Sequence, residues 1–106
     1  MFLARVVGNV VSTRKVEQLA GVKLLVVEPV DFVKQEPDGK PLVAIDSVGA
    51  GEGEVVLVVQ GSSARLTDTT KDAPVDATIM GIVDFVEFRG RRTFRKGGGT
   101  AEALDR

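Results

Sequence analysis

The 106-residue sequence has no histidine, no cysteine, no tryptophan and no tyrosine. Without cysteine there are no disulfides. Without cysteine and histidine there are no zinc sites of the Cys/His kind and no Ser-His or Cys-His nucleophile pairs. Without Trp and Tyr, the core falls to small β-branched side chains, valine above all. No apolar run is long enough to span a bilayer. The apolar stretch 1–11 carries Arg5 and lacks a signal-peptide cleavage site. The expectation is a cytoplasmic protein with no membrane partner.

What is present is ordinary for a globular protein: 43% apolar and 27% charged residues. The length predicts one domain. A chain this short leaves roughly a third of its unfolded surface exposed after folding. Such a small core favours stability shared with neighbouring subunits. The net charge of −1 is unevenly placed, with 8 basic and 13 acidic residues in 1–88 but 6 basic and 2 acidic in 89–106. An acidic body argues against a nucleic-acid surface there and leaves the basic end open to one.

The sequence is organised around residues 44–65, AIDSVGAGEGEVVLVVQGSSAR. Two short valine-rich runs, 42–48 and 54–60, read as strands rather than helices. Between them lie Gly49, Ala50, Gly51, Glu52 and Gly53, a loop whose glycines permit positive φ and close backbone approach. After them come Gly61, Ser62, Ser63, Ala64 and Arg65, read as a short helix over 62–66 capped by Ser62 or Ser63.

Taken in order, residues 2–11 form a first strand with Phe2, Ala4, Val6, Gly8 and Val10 on one face. The other face is also largely apolar, so the strand is either central or packed on another subunit. Gly8 marks a bend or bulge of the kind barrels need. Ser12, Thr13, Arg14 and Lys15 begin a polar connector. Residues 22–28 form a second strand ended by Pro29, and 36–41 signal the turn of a long exposed hairpin. A fifth strand runs over 79–88 with Gly81 as a second bend. One more helical turn is read at 75–78. A turn over 89–92 leads to a short return strand at 93–96. Gly97, Gly98 and Gly99 make a flexible linker, and 100–106 is at most a helical fragment. The domain therefore spans 1–96, with a tail at 97–106. Five short strands with internal glycines and one short helix predict an all-β, OB-like Greek-key barrel.

Few motifs carry chemistry. The G-x-G-x-G of residues 49–53 lacks the G-x-G-x-x-G spacing and the following helix of a dinucleotide site, and Glu52 repels phosphate. Ser62 and Ser63 have no histidine and no S-x-x-K lysine to activate them. The scattered carboxylates Asp31, Asp46, Asp76 and Asp84 have no spacing that forces an acid/base pair. Residues 88–96, FRGRRTFRK, interleave Arg with Phe, so an OB-fold binder of single-stranded nucleic acid is the alternative reading. No cofactor and no metal site is expected.

One resemblance exceeds these motifs in specificity. It runs through Arg5-Val6-Val7-Gly8, Thr13-Arg14-Lys15, Gly21-Val22-Lys23-Leu24-Leu25, the V-G-A-G-x-G-E of 48–54, the G-S-S-A-R of 61–65, Pro74-Val75-Asp76-Ala77 and Gly81-Ile82-Val83-Asp84. In this order and spacing the chain resembles the pentameric vertex proteins of bacterial microcompartment shells, the carboxysome and ethanolamine-utilisation type. The resemblance implies an OB-like barrel, a homopentamer, no catalysis, and a structural role in a cytoplasmic shell whose other tiles are hexameric. It implies a hexamer-facing edge at Thr13, Arg14, Lys15, Gly49, Ala50, Gly51, Glu52, Gly53 and Glu54. For Gly61, Ser62, Ser63, Ala64 and Arg65 it implies a place at the contact between protomers or the central pore, where inward helix N-termini would favour anions.

Overall fold

The computed structural model describes residues 1–13, 15–61, 64, 66–67, 76–97 and 102–103. Five strands close into a barrel: β1 (Phe2–Val10), β2 (Leu24–Pro29), β3 (Leu42–Asp46), β4 (Val55–Gln60) and β5 (Ala77–Ile82), in the order β1-β2-β3-β5-β4. Among the described strands only the β3/β5 pair is parallel, joined through Ile45↔Thr78 and Asp46↔Ile79. Closure leaves no free edge on the barrel, the standing hazard of small sheets. This is the five-stranded OB-type architecture expected from the sequence.

The two strand-internal glycines, Gly8 and Gly81, lie beside register slips in the barrel. The β1/β2 register slips between Val6 and Gly8, leaving Val7 bulged. The β4/β5 register slips beside Gly81, with Leu57 opposite Gly81 and Val58 opposite Ile79. A bulge sharpens local twist, which a five-stranded sheet needs to meet itself.

The interior holds Ala4, Val6, Leu25, Val27, Ala44, Ala50, Val56, Val58, Ala77 and Ile79, with Phe2, Leu42 and Ile82 packed against them. Valine and isoleucine dominate the fully buried side chains, as the lack of larger aromatics requires. The second apolar face of β1 is covered within the chain at Leu3, while Val7 and Val11 stay 41% and 85% exposed. Leu3 joins Val30 and Val55 in a smaller cluster outside the barrel, roofed by Val83, Val86 and Phe94.

That roof corrects the reading of one long strand over 79–88. The chain leaves the barrel after Ile82 and resumes as β6 (Phe85–Phe88), which pairs with β7 (Arg91–Arg95). Val83 N–H still donates to Val55 O at 2.8 Å, and Lys96 N–H donates to Asp84 O at 2.7 Å, so the break is held at both sides. The turn is two residues, Arg89 and Gly90, both at positive φ (52° and 77°). Two such residues give the hairpin twist that matches flanking strands, so Arg91 and Arg92 are already strand and not turn.

Other expectations shift for local reasons. Ala77 and Thr78 are strand, because Thr78 pairs with Ile45 and Val59 and its hydroxyl donates to Ala64 O at 2.5 Å; Val75 lies outside the described residues. The helical fragment expected in the tail is instead a two-residue β8 (Glu102–Ala103) against β7. A 3-10 turn spans Glu17–Leu19 in the connector after β1. The helix expected at 62–66 falls mostly outside the described residues.

Val56 and Val58 are fully buried on β4. Val56→Asp or Val58→Asp places an unpaired charge in the barrel interior, a cost of several kcal/mol. Far-UV circular dichroism should show an unfolded chain for each. A cooperative melt at wild-type temperature would contradict the barrel assignment.

Candidate functional site

The loop between β3 and β4 is densely tied to the rest of the chain. Asp46, the last residue of β3, is almost wholly buried. Its Oδ1 accepts from Val48 N–H at 3.0 Å and Gly49 N–H at 3.1 Å, and its Oδ2 accepts from Ala50 N–H at 2.9 Å. A carboxylate taking several backbone N–H groups forms charge-assisted bonds and satisfies its own burial. Lys23 completes the arrangement: its Nζ lies 3.7 Å from Asp46 Oδ2 and donates to Ala50 O at 2.8 Å. The Ala50 methyl is thereby turned into the barrel core, with no exposed surface.

Glu54 does the same from the other end. Its Oε1 accepts Gly51 N–H at 2.6 Å, while its own N–H donates to Gly51 O at 3.2 Å. Its Oε2 meets Lys96 Nζ at 2.7 Å. Gly53 N–H donates to Val6 O at 2.8 Å, Val6 N–H donates to Glu54 O at 2.9 Å, and an Arg5 guanidinium N–H reaches Gly53 O at 2.9 Å. Gly49 and Gly53 sit at φ 81° and 90°, the left-handed region that makes these two positions glycine.

The consequence for chemistry is direct. The N–H groups of Gly49, Ala50, Gly51 and Gly53 all donate to acceptors within the chain. A phosphate cradle needs those donors free, so the loop cannot act as one. What it offers outward is bare backbone with one exposed carboxylate, Glu52, at its tip. It is a low-relief loop tied by hydrogen bonds at both ends.

The remaining site residues are placed differently. Thr13 and Lys15 are exposed on the connector after β1, where Lys15 Nζ folds back on Ser12 O at 3.3 Å; Arg14 lies outside the described residues. Gly61 is exposed at φ 69°, and its N–H donates to Asp76 O at 2.9 Å. Ala64 is buried and its carbonyl accepts the Thr78 hydroxyl. Ser62, Ser63 and Arg65 lie outside the described residues, and with them the suggested helix start.

Of the four scattered carboxylates, two are loop ties. Asp31 accepts backbone N–H groups from Val33, Lys34 and Glu36, shaping the turn after β2. Those bonds, the one from Lys34 first, hold its carboxyl below the ordinary value. Asp76 and Asp84 are exposed. No group of three His, Cys, Asp or Glu among the described residues could hold a metal ion.

The aromatic rings of the basic hairpin are engaged within the chain. Arg92 lies 4.3 Å over Phe85, Arg89 lies 5.0 Å over Phe88, Arg5 lies 5.9 Å from Phe94, and Phe32 and Phe88 tilt together at 5.9 Å. Base stacking needs open ring faces along a basic groove.

Sequence reasoning singled out the loop but missed its supports: Asp46, Lys23, Arg5 and Lys96. One was detectable. Asp46 followed two to four residues later by acceptor-seeking N–H groups and Gly49 is the pattern of an Asx turn. The other three act across long sequence separations that no local pattern records.

The Glu54–Lys96 contact carries a measurable charge effect. Glu54's carboxyl is held below its ordinary value of 4.5, by the Lys96 hydrogen bond first and the Gly51 N–H next. Lys96 is raised above 10.5 by the same partner. A depressed carboxyl contributes stability above its unfolded pKa and loses it as pH falls through the folded value. A raised lysine contributes below 10.5 and loses it as pH rises through its folded value. Lys96→Ala should therefore move the Glu54 titration upward towards 4.5 in a carbon-detected NMR experiment. An unmoved midpoint would mean that Lys96 does not hold this end of the loop.

With this geometry, the chain matches known proteins over nearly its whole length. A family model described as ethanolamine utilisation protein EutN/carboxysome covers residues 1–84. The bacterial microcompartment shell vertex protein GrpN of Rhodospirillum rubrum is 51% identical over 87 residues, spanning 82% of this chain and 97% of that protein. Its structure, described as a pentameric microcompartment shell protein, superposes with a TM-score of 0.72 at 50% identity, covering 83% of this chain and 98% of GrpN. The structure of Gloeobacter violaceus CcmL gives a TM-score of 0.86 at 39% identity, covering 92% of this chain and all of that one.

Proposed function

The chain belongs to the ethanolamine utilisation protein EutN/carboxysome family, and from that premise we propose that it is a structural shell protein, a homopentameric tile at the vertices of a polyhedral bacterial microcompartment. A flat sheet of hexameric tiles closes into a polyhedron only when pentagons occupy its corners. The proposed partners are four further copies of the chain and the hexameric tiles around them. Neither an enzyme activity nor a cofactor belongs to this reading. Residues 1–96 are the proposed vertex domain and 97–106 its tail.

The observation that carries the proposal is the β3–β4 loop, beside a family whose GrpN member is a pentameric shell protein. Its backbone is fixed by Asp46 and Glu54 before any neighbour arrives. An edge that must match a tile benefits from preorganisation, since little conformational freedom is left to lose on contact. Gly49, Ala50, Gly51, Glu52, Gly53 and Glu54, with Thr13, Arg14 and Lys15, are the proposed edge toward hexamers. Glu52, Arg14 and Lys15 supply charge for register. Gly61, Ser62, Ser63, Ala64 and Arg65 are assigned to the contact between protomers or the pore.

The test uses light scattering and shell reconstitution together. Gly51 is free of positive-φ strain, and a Cβ there meets only Glu54 Oε1 at 3.4 Å. Gly51→Trp should keep the mass of a pentamer yet lower the fraction of closed shells formed with hexameric shell proteins several-fold. Closure at the wild-type level would remove the loop from the edge.

A further inference from the structure

The loop between β3 and β4 is built in two halves. Val48, Gly49 and Ala50 donate to the Asp46 carboxylate, and the Ala50 carbonyl accepts from Lys23. Asp46 ends β3 and Lys23 directly precedes β2, so this half is tied to the barrel. Residues 51–54 form a separate reverse turn. Glu54 N–H donates back to Gly51 O at 3.2 Å, the long end of the range for such a bond. The Glu54 carboxylate then returns to Gly51 N–H at 2.6 Å. The side chain closes the turn that its own backbone ends, and its rotamer decides whether that second bond is made.

What fixes that rotamer comes from outside the barrel. Lys96 Nζ meets Glu54 Oε2 at 2.7 Å. The Lys96 N–H donates to Asp84 O at 2.7 Å and closes the base of the β6–β7 hairpin. The hairpin therefore sets the place of Lys96, and Lys96 delivers its charge to the loop. A second thread runs beside the first. Phe94 of β7 packs on the cluster of Leu3, Val30 and Val55, and Arg5 lies 5.9 Å from its ring and donates to Gly53 O at 2.9 Å. Both threads end within residues 51–54. Two further charges act here, Asp84 on Lys96 and Lys23 on Glu54. Lys23 is already engaged with Asp46 and the Ala50 carbonyl, so the cation that bonds Glu54 is Lys96.

We propose that the β6–β7 hairpin is a positioning element for the loop: through Lys96, with Arg5 beside it, the hairpin sets the 51–54 turn, while Asp46 sets residues 48–50 without it. The inference rests on the proposed edge toward hexamers and names what controls the shape of that edge. Glu52, the exposed carboxylate at the tip, lies inside the hairpin-held turn. The hairpin thus sets where that charge is presented to a neighbour, and a charge fixes register only from a defined place. Lys96 and Arg5 are positioning residues, acting on a neighbour through the turn they hold.

Amide hydrogen exchange by NMR, at one near-neutral pH, reads the two halves separately at Gly51 and Ala50. Lys96→Met keeps the aliphatic stem and removes the charge. It should lower Gly51 protection several-fold and leave Ala50 at its wild-type value, and Lys96→Arg should restore Gly51. In wild type the Gly51 amide shift should also titrate together with the Glu54 carboxyl, with a smaller amplitude in Lys96→Met. Gly90→Val acts from the far end of the hairpin. Gly90 sits at φ 77° and an added Cβ there meets nothing within 4 Å, so the substitution strains the hairpin turn without touching the loop. It too should lower Gly51 protection and spare Ala50. Wild-type protection of Gly51 in Lys96→Met, or a joint fall of Gly51 and Ala50, would overturn the division of the loop. An unmoved Gly51 in Gly90→Val would overturn the hairpin's part in it. Shell reconstitution separates this inference from the edge reading. Lys96→Met should keep the mass of a pentamer and give several-fold fewer closed shells. If Gly51 loosens while shells close at the wild-type level, the edge reading fails and the coupling stands.

Discussion

The buried carboxylate of Asp46 is the constraint on which the site depends. It ends β3, gathers three successive backbone N–H groups, and so turns a glycine-rich connection into a fixed object. Without an acceptor there, the N–H groups of exposed Val48 and Gly49 would turn to water, but that of buried Ala50 would lose its partner, at about 1–3 kcal/mol. Ala50 could not then be held against Val56, Val58 and Ile79 in the barrel. The loop is therefore continuous with the core and not an appendage to it.

Charge in this chain serves shape more than attraction. Lys23 and Arg5 donate to loop carbonyls, and Glu54 and Lys96 clamp the loop's far end. Lys96 follows β7, so the hairpin outside the barrel is connected to the candidate edge. The same hairpin roofs Leu3, Val30 and Val55. Arginines stacked on Phe85 and Phe88 belong to this architecture as well. A basic, aromatic stretch that reads as a nucleic-acid surface in one dimension is, in three, largely occupied with its own body.

The barrel was legible in the sequence because its causes are local. Period-two valine runs place strands, and Gly8 and Gly81 mark the bends where register slips. The core's composition followed from the missing large aromatics. What stayed hidden depends on distant partners. The break after Ile82 is invisible in IMGIVDFVEF, because it is set by Val55 and Lys96 holding Val83 and Asp84. Arg89 at positive φ is unremarkable as a letter and takes its conformation from the hairpin. Asp46 was visible as an acid inside an apolar run, and its bonds to Val48, Gly49 and Ala50 are local, whereas the ties from Lys23, Arg5 and Lys96 cross long sequence separations. The family resemblance pointed to the 49–54 loop; only geometry gives the reason the loop keeps its form.

The central claim is that the 49–54 loop, the proposed edge, is already built in the free protein and does not form on contact. Amide hydrogen exchange at Val48, Gly49 and Ala50, measured by NMR without shell partners, addresses it most directly. The account predicts protection comparable to that of the β4 amides, since these N–H groups are bonded to a buried carboxylate. Exchange at the rate of an unstructured glycine-rich loop would contradict it.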